Sequence, residues 1–110
     1  MDDSLFLIYT TMPDYSTAHD VCDVLLKENL VVCVNMFDGM TSMYHWEGEI
    51  RTSNECVVIM KTTRSLHEAA MQKIKELHSY DIPTVFSIPV YDCNPEFLNW
   101  VISSVSKNTY

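Results

Sequence analysis

Apolar and polar positions along this chain fall into short runs whose period changes several times. Leu5–Thr11 opens with an apolar run of strand length. After Asp14, a helix-capping residue type, Ala18, Val21, Cys22 and Leu25 recur at the i, i+3, i+4, i+7 spacing of one helix face, and the pattern fades at Asn29. Val31–Phe37 and Cys56–Met60 are apolar and partly β-branched, as strands are. Alternating residues and a Trp46-Glu47-Gly48 corner separate them, which predicts one β-hairpin over Val31–Met60 turning near Glu47-Gly48. Ser65 and Glu68 have capping-box spacing and start a second helix to about His78, with Leu66, Ala70, Ile74 and Leu77 inward. Thr84–Tyr91 reads as a strand with Phe86, Ile88 and Val90 on one side, and Pro89 suits an edge position or a bulge. Asn94-Pro95 opens a third helix whose apolar face is Phe97, Val101, Ile102 and Val105, and the tail Ser106–Tyr110 is expected to fray.

The order β-α-β-β-α-β-α predicts an α+β, ferredoxin-like βαββαβ antiparallel sheet with a C-terminal helix added. One domain over 1–110, with an ordered core of about 5–105, follows from the length. The hairpin is long for such a domain. Arms of about 15 residues would reach about 50 Å if straight, against a radius of gyration of about 13 Å for a compact domain of this size. Its tip carries Tyr44 and Trp46, which its own subunit cannot cover. The helices cover one face of the sheet and leave the other open. Both features predict self-association.

Composition narrows the partners. Apolar residues are 47% and charged residues 20%, which places the chain among ordinary globular proteins. A formal net charge of −8 repels phosphate backbones and anionic headgroups, so nucleic acid and membrane surfaces are excluded as expected partners. The start, Met1-Asp2-Asp3-Ser4, lacks the basic region of a signal peptide, and the apolar run Leu5–Tyr9 is too short to span a bilayer. A cytoplasmic location is the expectation. Cys22, Cys33, Cys56 and Cys93 show no CxxC spacing and read as reduced thiols. With a turn near Glu47-Gly48, Cys33 would face about Thr62 and Cys56 about Gly39, out of register for a disulfide. Cys22, Cys33 and Cys56 read as buried apolar groups, and Cys93, in a loop, as the more reactive thiol.

Six motifs, taken in order, resemble the CutA divalent-cation tolerance family: Val32-Cys-Val-Asn35, Thr41-Ser-Met-Tyr44, Trp46-Glu-Gly48, Lys61-Thr62, His78-Ser-Tyr-Asp-Ile-Pro83 and Asn94-Pro-Glu-Phe-Leu-Asn-Trp100. The resemblance runs from about Leu5 to Val105. It implies a tight homotrimer with clefts between subunits, lined by the Tyr44–Gly48 and His78–Tyr80 segments. It also implies a link to divalent metal tolerance, copper above all, and an architecture similar to the trimeric PII signalling proteins. Two departures stand out. The usual His-Pro-Tyr-Glu-x-Pro-Glu run reads His78-Ser-Tyr-Asp-Ile-Pro-Thr84 here, and Thr10 occupies a position where some bacterial members carry a cysteine associated with copper.

Within that frame, Tyr44, Trp46, Glu47, Lys61 and Tyr80 are the candidate cleft residues. Tyr and Trp join apolar bulk to one polar atom and suit a subunit contact as well as a pocket. Lys61 closes an apolar strand run, where it would neutralise a neighbour's Glu47 or meet an anionic ligand. His78, Glu47 and Cys93 are the candidate ligands for copper or another divalent cation; a His78–Glu47 pair also has the chemistry of an acid and a base. No nucleophile with its base is recognisable, so no catalytic residue is assigned and an enzyme is the least favoured reading. His19 and His67 fall on polar helix faces and are expected to be exposed, and His45 opposite Tyr44 and Trp46. The four histidines lack HxH or HxxxH spacing, and the methionines lack clustering, so neither builds a metal centre by sequence alone. The leading expectation is a non-enzymatic trimer holding an ion or small molecule in its clefts. The alternative is a PII-like signalling module that binds a metabolite and docks on a partner protein; with glycine only at 39 and 48, no phosphate loop supports a nucleotide.

Overall fold

Local chemistry sets most element ends in the structure, a computed structural model that describes residues 3–106. Strand β1 is Leu5–Met12, and helix α1 is Tyr15–Lys27. Asp14 caps α1 by accepting the Thr17 N–H at 2.8 Å. The helix ends where Asn29 turns left-handed at φ 56°, with Leu30 N–H donating to Leu25 O and Asn29 N–H to Leu26 O. That pair of bonds is a Schellman motif, and asparagine is tolerated at its left-handed position. Ala18, Val21, Cys22 and Leu25 are the buried face, as the spacing predicts. Strands β2 (Cys33–Trp46) and β3 (Glu49–Thr63) form the hairpin. Helix α2 is His67–Leu77, β4 is Val85–Pro89, and α3 is Pro95–Ser106. Asn94 Oδ1 accepts the Glu96 N–H at the start of α3. Residues 107–110, most of the tail expected to fray, lie outside the described residues.

The sheet order is β2-β3-β1-β4 with antiparallel pairing throughout, the order of a split βαβ unit. Ile8, Met12, Cys56, Val58 and Met60 pack beneath α1 and α2 with Leu25, Val31, Ala70 and Ile74 as one buried core. β4 is an edge strand, which is why Pro89 is accepted at its end. It is shorter than the sequence suggests. Phe86 and Ile88 alternate as expected but point away from this core, and both are exposed.

Those residues belong to the second face of the sheet. By register it continues through Leu5, Leu7, Tyr9 and Thr11 of β1 and Val57, Ile59, Lys61 and Thr63 of β3. It is not wholly bare. Helix α3 lies against β3, and Val101 and Val105 are buried outside the α1/α2 core. We therefore place α3 over part of the second face. Tyr9, Phe37, Phe86 and Ile88 on that face stay half-covered or exposed.

The hairpin turns at Glu47-Gly48, with both residues at positive φ (51° and 80°). Two left-handed residues make the tight turn whose twist matches the strands; glycine adopts it freely and glutamate does not. The structure is drawn out accordingly, 47 × 28 × 21 Å. One irregularity shifts the register. Phe37 pairs with Val57 and Met40 with Glu55, so Asp38 and Gly39 together face Cys56. Gly39 takes φ 75° there. This β-bulge puts Cys33 opposite Lys61, one place from the simple count.

Three further expectations are corrected. Ser65 does not cap α2: it bonds instead to Asp3, which accepts the Ser65 N–H at 3.2 Å and its hydroxyl at 2.8 Å, and α2 starts at His67 without a side-chain cap. Leu77, at the end of α2, is exposed because the helix stops before that side chain reaches the core. His67 is half-buried rather than exposed, stacked on Phe6 with ring centroids 4.2 Å apart.

Candidate functional site

The bulge decides what the hairpin presents. Without the extra residue, the row Met40, Ser42, Tyr44, Trp46 would point with the α1/α2 side; with it, the row sits opposite Glu55, Ser53, Arg51 and Glu49 on the second face. The uncovered face of the sheet thus continues out along the hairpin. A groove of about 870 Å³ forms where this face meets the segment after α2. Tyr9 and Thr11 of β1, Tyr44 and Trp46 of β2, Arg51 and Glu55 of β3, and Tyr80 and Asp81 are among its walls.

Glu55 is the polar centre of this groove. Its Oε2 accepts the Tyr80 hydroxyl at 2.9 Å and its Oε1 the Ser42 hydroxyl at 2.6 Å. Burial first, then the hydrogen bond to Glu55, pushes the Tyr80 phenol up to about 12, so it stays a donor. Tyr80 is held in turn by His78. The Tyr80 backbone N–H donates to His78 Nδ1 at 3.1 Å, and His78 Nε2 lies 2.7 Å from the Thr11 carbonyl. A backbone N–H only donates and a carbonyl only accepts, so His78 Nδ1 is the acceptor and Nε2 the donor in these contacts. The two rings meet at 4.8 Å. The loop after α2 is therefore tied to β1 through His78 and to β3 through Tyr80.

The structure brings Tyr44, Trp46 and Tyr80 to one groove. It does not bring His78, Glu47, Lys61 and Cys93 to its walls. Glu47 occupies the hairpin turn. Lys61 Nζ donates to Asn35 Oδ1 at 2.6 Å on the second face. Cys93 is half-buried before α3, its Sγ 3.6 Å from the Asn94 carbonyl. Both His78 nitrogens are occupied by backbone. Among the described residues no three His, Cys, Asp or Glu gather as a metal site. The four cysteines are unpaired; Cys22 and Cys56 are buried, with burial pushing the Cys22 thiol up to about 11, while Cys33 is only half-buried. Thr10 is fully buried and donates its hydroxyl to the Thr84 carbonyl.

Sequence reasoning missed Glu55. A signal was present: Arg51, Ser53 and Glu55 alternate along β3, and polar residues recurring on one face of a strand that leads into Cys56-Val57-Val58 mark a wetted or ligand-facing side. No helix among the described residues is long and apolar enough to cross a membrane.

Comparison with known proteins adds a lineage to this geometry. The family described as CutA1 divalent ion tolerance protein matches residues 6–104. The divalent-cation tolerance protein CutA of Pyrococcus horikoshii is 40% identical over 103 residues, covering 94% of this chain and all of that protein. The crystal structure of the divalent ion tolerance protein CutA1 from Ehrlichia chaffeensis superposes with a TM-score of 0.91 at 37% identity, covering 96% of this chain and 98% of that one. A CutA structure from Archaeoglobus fulgidus, described as periplasmic, gives 0.88 at 33% identity over 92% of this chain and 98% of that one.

Proposed function

The chain belongs to the CutA1 divalent ion tolerance protein family, and from that premise we propose that it works as a homotrimer whose grooves, completed by neighbouring subunits, hold a small ligand or ion. We read it as a binding protein and not as an enzyme. The observation that supports this most is the unbroken row from the half-covered sheet face to the hairpin tip. Tyr44 and Trp46 stand 41% and 43% exposed on it, with Met43 and Ile50 barer still on the hairpin's reverse side. Aromatic side chains held on a rigid hairpin, away from their own core, are suited to contact another copy. His78 then positions the wall that Tyr80 forms.

The described residues of one protomer do not build a copper site. His78 has no free nitrogen, Cys93 and Glu47 are outside the groove, and around Glu55 the groove offers oxygen donors with the Met43 thioether as its one sulfur, whereas copper favours imidazole and sulfur. A direct metal role would require Glu47 or Cys93 to meet ligands from another subunit. A cytoplasmic location is part of the same proposal, supported by four unpaired thiols. Native mass spectrometry with and without copper and zinc tests both halves. The expected spectrum is a trimer; uptake at micromolar metal that is lost in Cys93→Ala or Glu47→Gln would establish the direct metal role, and a monomer would overturn the assembly.

A further inference from the structure

The groove has a charge and wall chemistry of its own. Glu55 has both carboxylate oxygens filled by neutral hydroxyls, from Ser42 and Tyr80. Among the described residues it forms no ion pair with Lys, Arg or His. The single cationic side chain in the walls, Arg51, lies 3.5 Å from Glu49 and is matched there. Asp81 adds a second carboxylate to the lining. Around these charges stand four aromatic side chains, Tyr9, Tyr44, Trp46 and Tyr80. A carboxylate held only by neutral donors has no charge partner of its own, and aromatic faces attract cations through their negative π-surface. The lining offers no imidazole, and its one sulfur is the Met43 thioether, on a residue whose register places it on the hairpin's reverse side.

Resting on the reading of the groove as a ligand site, we propose that it takes an organic ammonium cation, with Glu55 as counter-charge and the Tyr44, Trp46 and Tyr80 rings as its apolar walls. The hydroxyls of Ser42 and Tyr80 fix the carboxylate's direction before the ligand arrives, so little side-chain freedom is lost on binding. An alkali cation would leave the aromatic walls unused, and a neutral molecule of the same shape would leave the charge unmatched. This separates the proposal from general hydrophobic binding.

The test uses the full chain and three probes: tetramethylammonium, choline and 3,3-dimethylbutan-1-ol, the neutral isostere of choline. Ligand methyl protons are followed by NMR as protein is added, with the oligomeric mass measured on the same samples. The expected result is a saturable upfield ring-current shift for both cations at millimolar concentrations and none for the alcohol. Glu55→Gln, which keeps the shape and one acceptor, should weaken the cations about tenfold or more, and Trp46→Leu by roughly three- to tenfold. No saturable shift, equal shifts from the alcohol, or unchanged affinity in Glu55→Gln would each overturn the ammonium proposal. Because the mass is read separately, a trimer that ignores all three probes sinks this inference alone, while a monomer sinks the assembly it rests on.

Discussion

The half of the sheet under α1 and α2 and the hairpin beyond it share strands β2 and β3 but use them to opposite ends. Under the helices, Val58 and Met60 of β3 are fully buried, and every alternate residue adds to one core. Past the bulge the same strands carry Ser42, Tyr44, Arg51 and Glu55, polar or amphipathic, with neither side sealed by the protomer. The inner half is stabilised by burial within one chain. The outer half keeps backbone pairing but gains little from burial alone, so its conformation is set by turn and bulge geometry and, in our account, by other copies. One added residue, at Asp38-Gly39, marks the change.

The largest way to break this contrast is in the inner half. Ile74→Ala should destabilise the chain by about 2–5 kcal/mol and unfold both halves together, read as one denaturant transition. In the outer half, Trp46→Ala should dissociate or strongly weaken the assembly; unchanged mass and melting would refute burial of the tip. Deleting Gly39 should act similarly by turning Tyr44 and Trp46 to the other face, leaving far-UV circular dichroism of the sheet and helices close to native while mass falls. Glu47→Asn should stabilise the hairpin by roughly 0.5–1 kcal/mol, because asparagine accepts the left-handed turn position better; a loss of stability would show that the Glu47 carboxylate has a partner. The smallest effect is alkaline. The folded chain holds the Tyr80 proton more tightly than the unfolded chain does, so that stability is intact below the ordinary phenol pKa near 10 and is lost as pH rises toward 12. Tyr80→Phe should remove that part of the alkaline slope in melting temperature.

The topology was legible because it rests on period and punctuation. The Asp14 and Asn94 caps, the α1 stripe and the Glu47-Gly48 turn lie where apolar spacing and residue type place them. The bulge was not legible, since Gly39 is compatible with an ordinary strand and only the facing strand shows that a residue is extra. That single shift moved Cys33 from Thr62 to Lys61. Ser65 misled because a capping box is a local pattern, while Asp3, distant in sequence, competes for the same hydroxyl. The Tyr44, Trp46 and Tyr80 walls are named from the family resemblance, with residue type in support, but Glu55 depends on two hydroxyls that meet only in the fold. His78 drew attention as an acid, base or ligand; its two backbone partners, one of them 67 residues away, make it a positioning group within the protomer.

The central claim is that the aromatic hairpin row is covered by another copy, and acrylamide quenching of Trp46 fluorescence tests it most directly. Trp100→Phe leaves Trp46 as the single tryptophan. The account predicts quenching well below that of the isolated protomer, where Trp46 is 43% exposed, rising to the protomer's value only when the protein is diluted or mutated to the 12.7 kDa monomer. Quenching at high concentration equal to that of the folded monomer would contradict it.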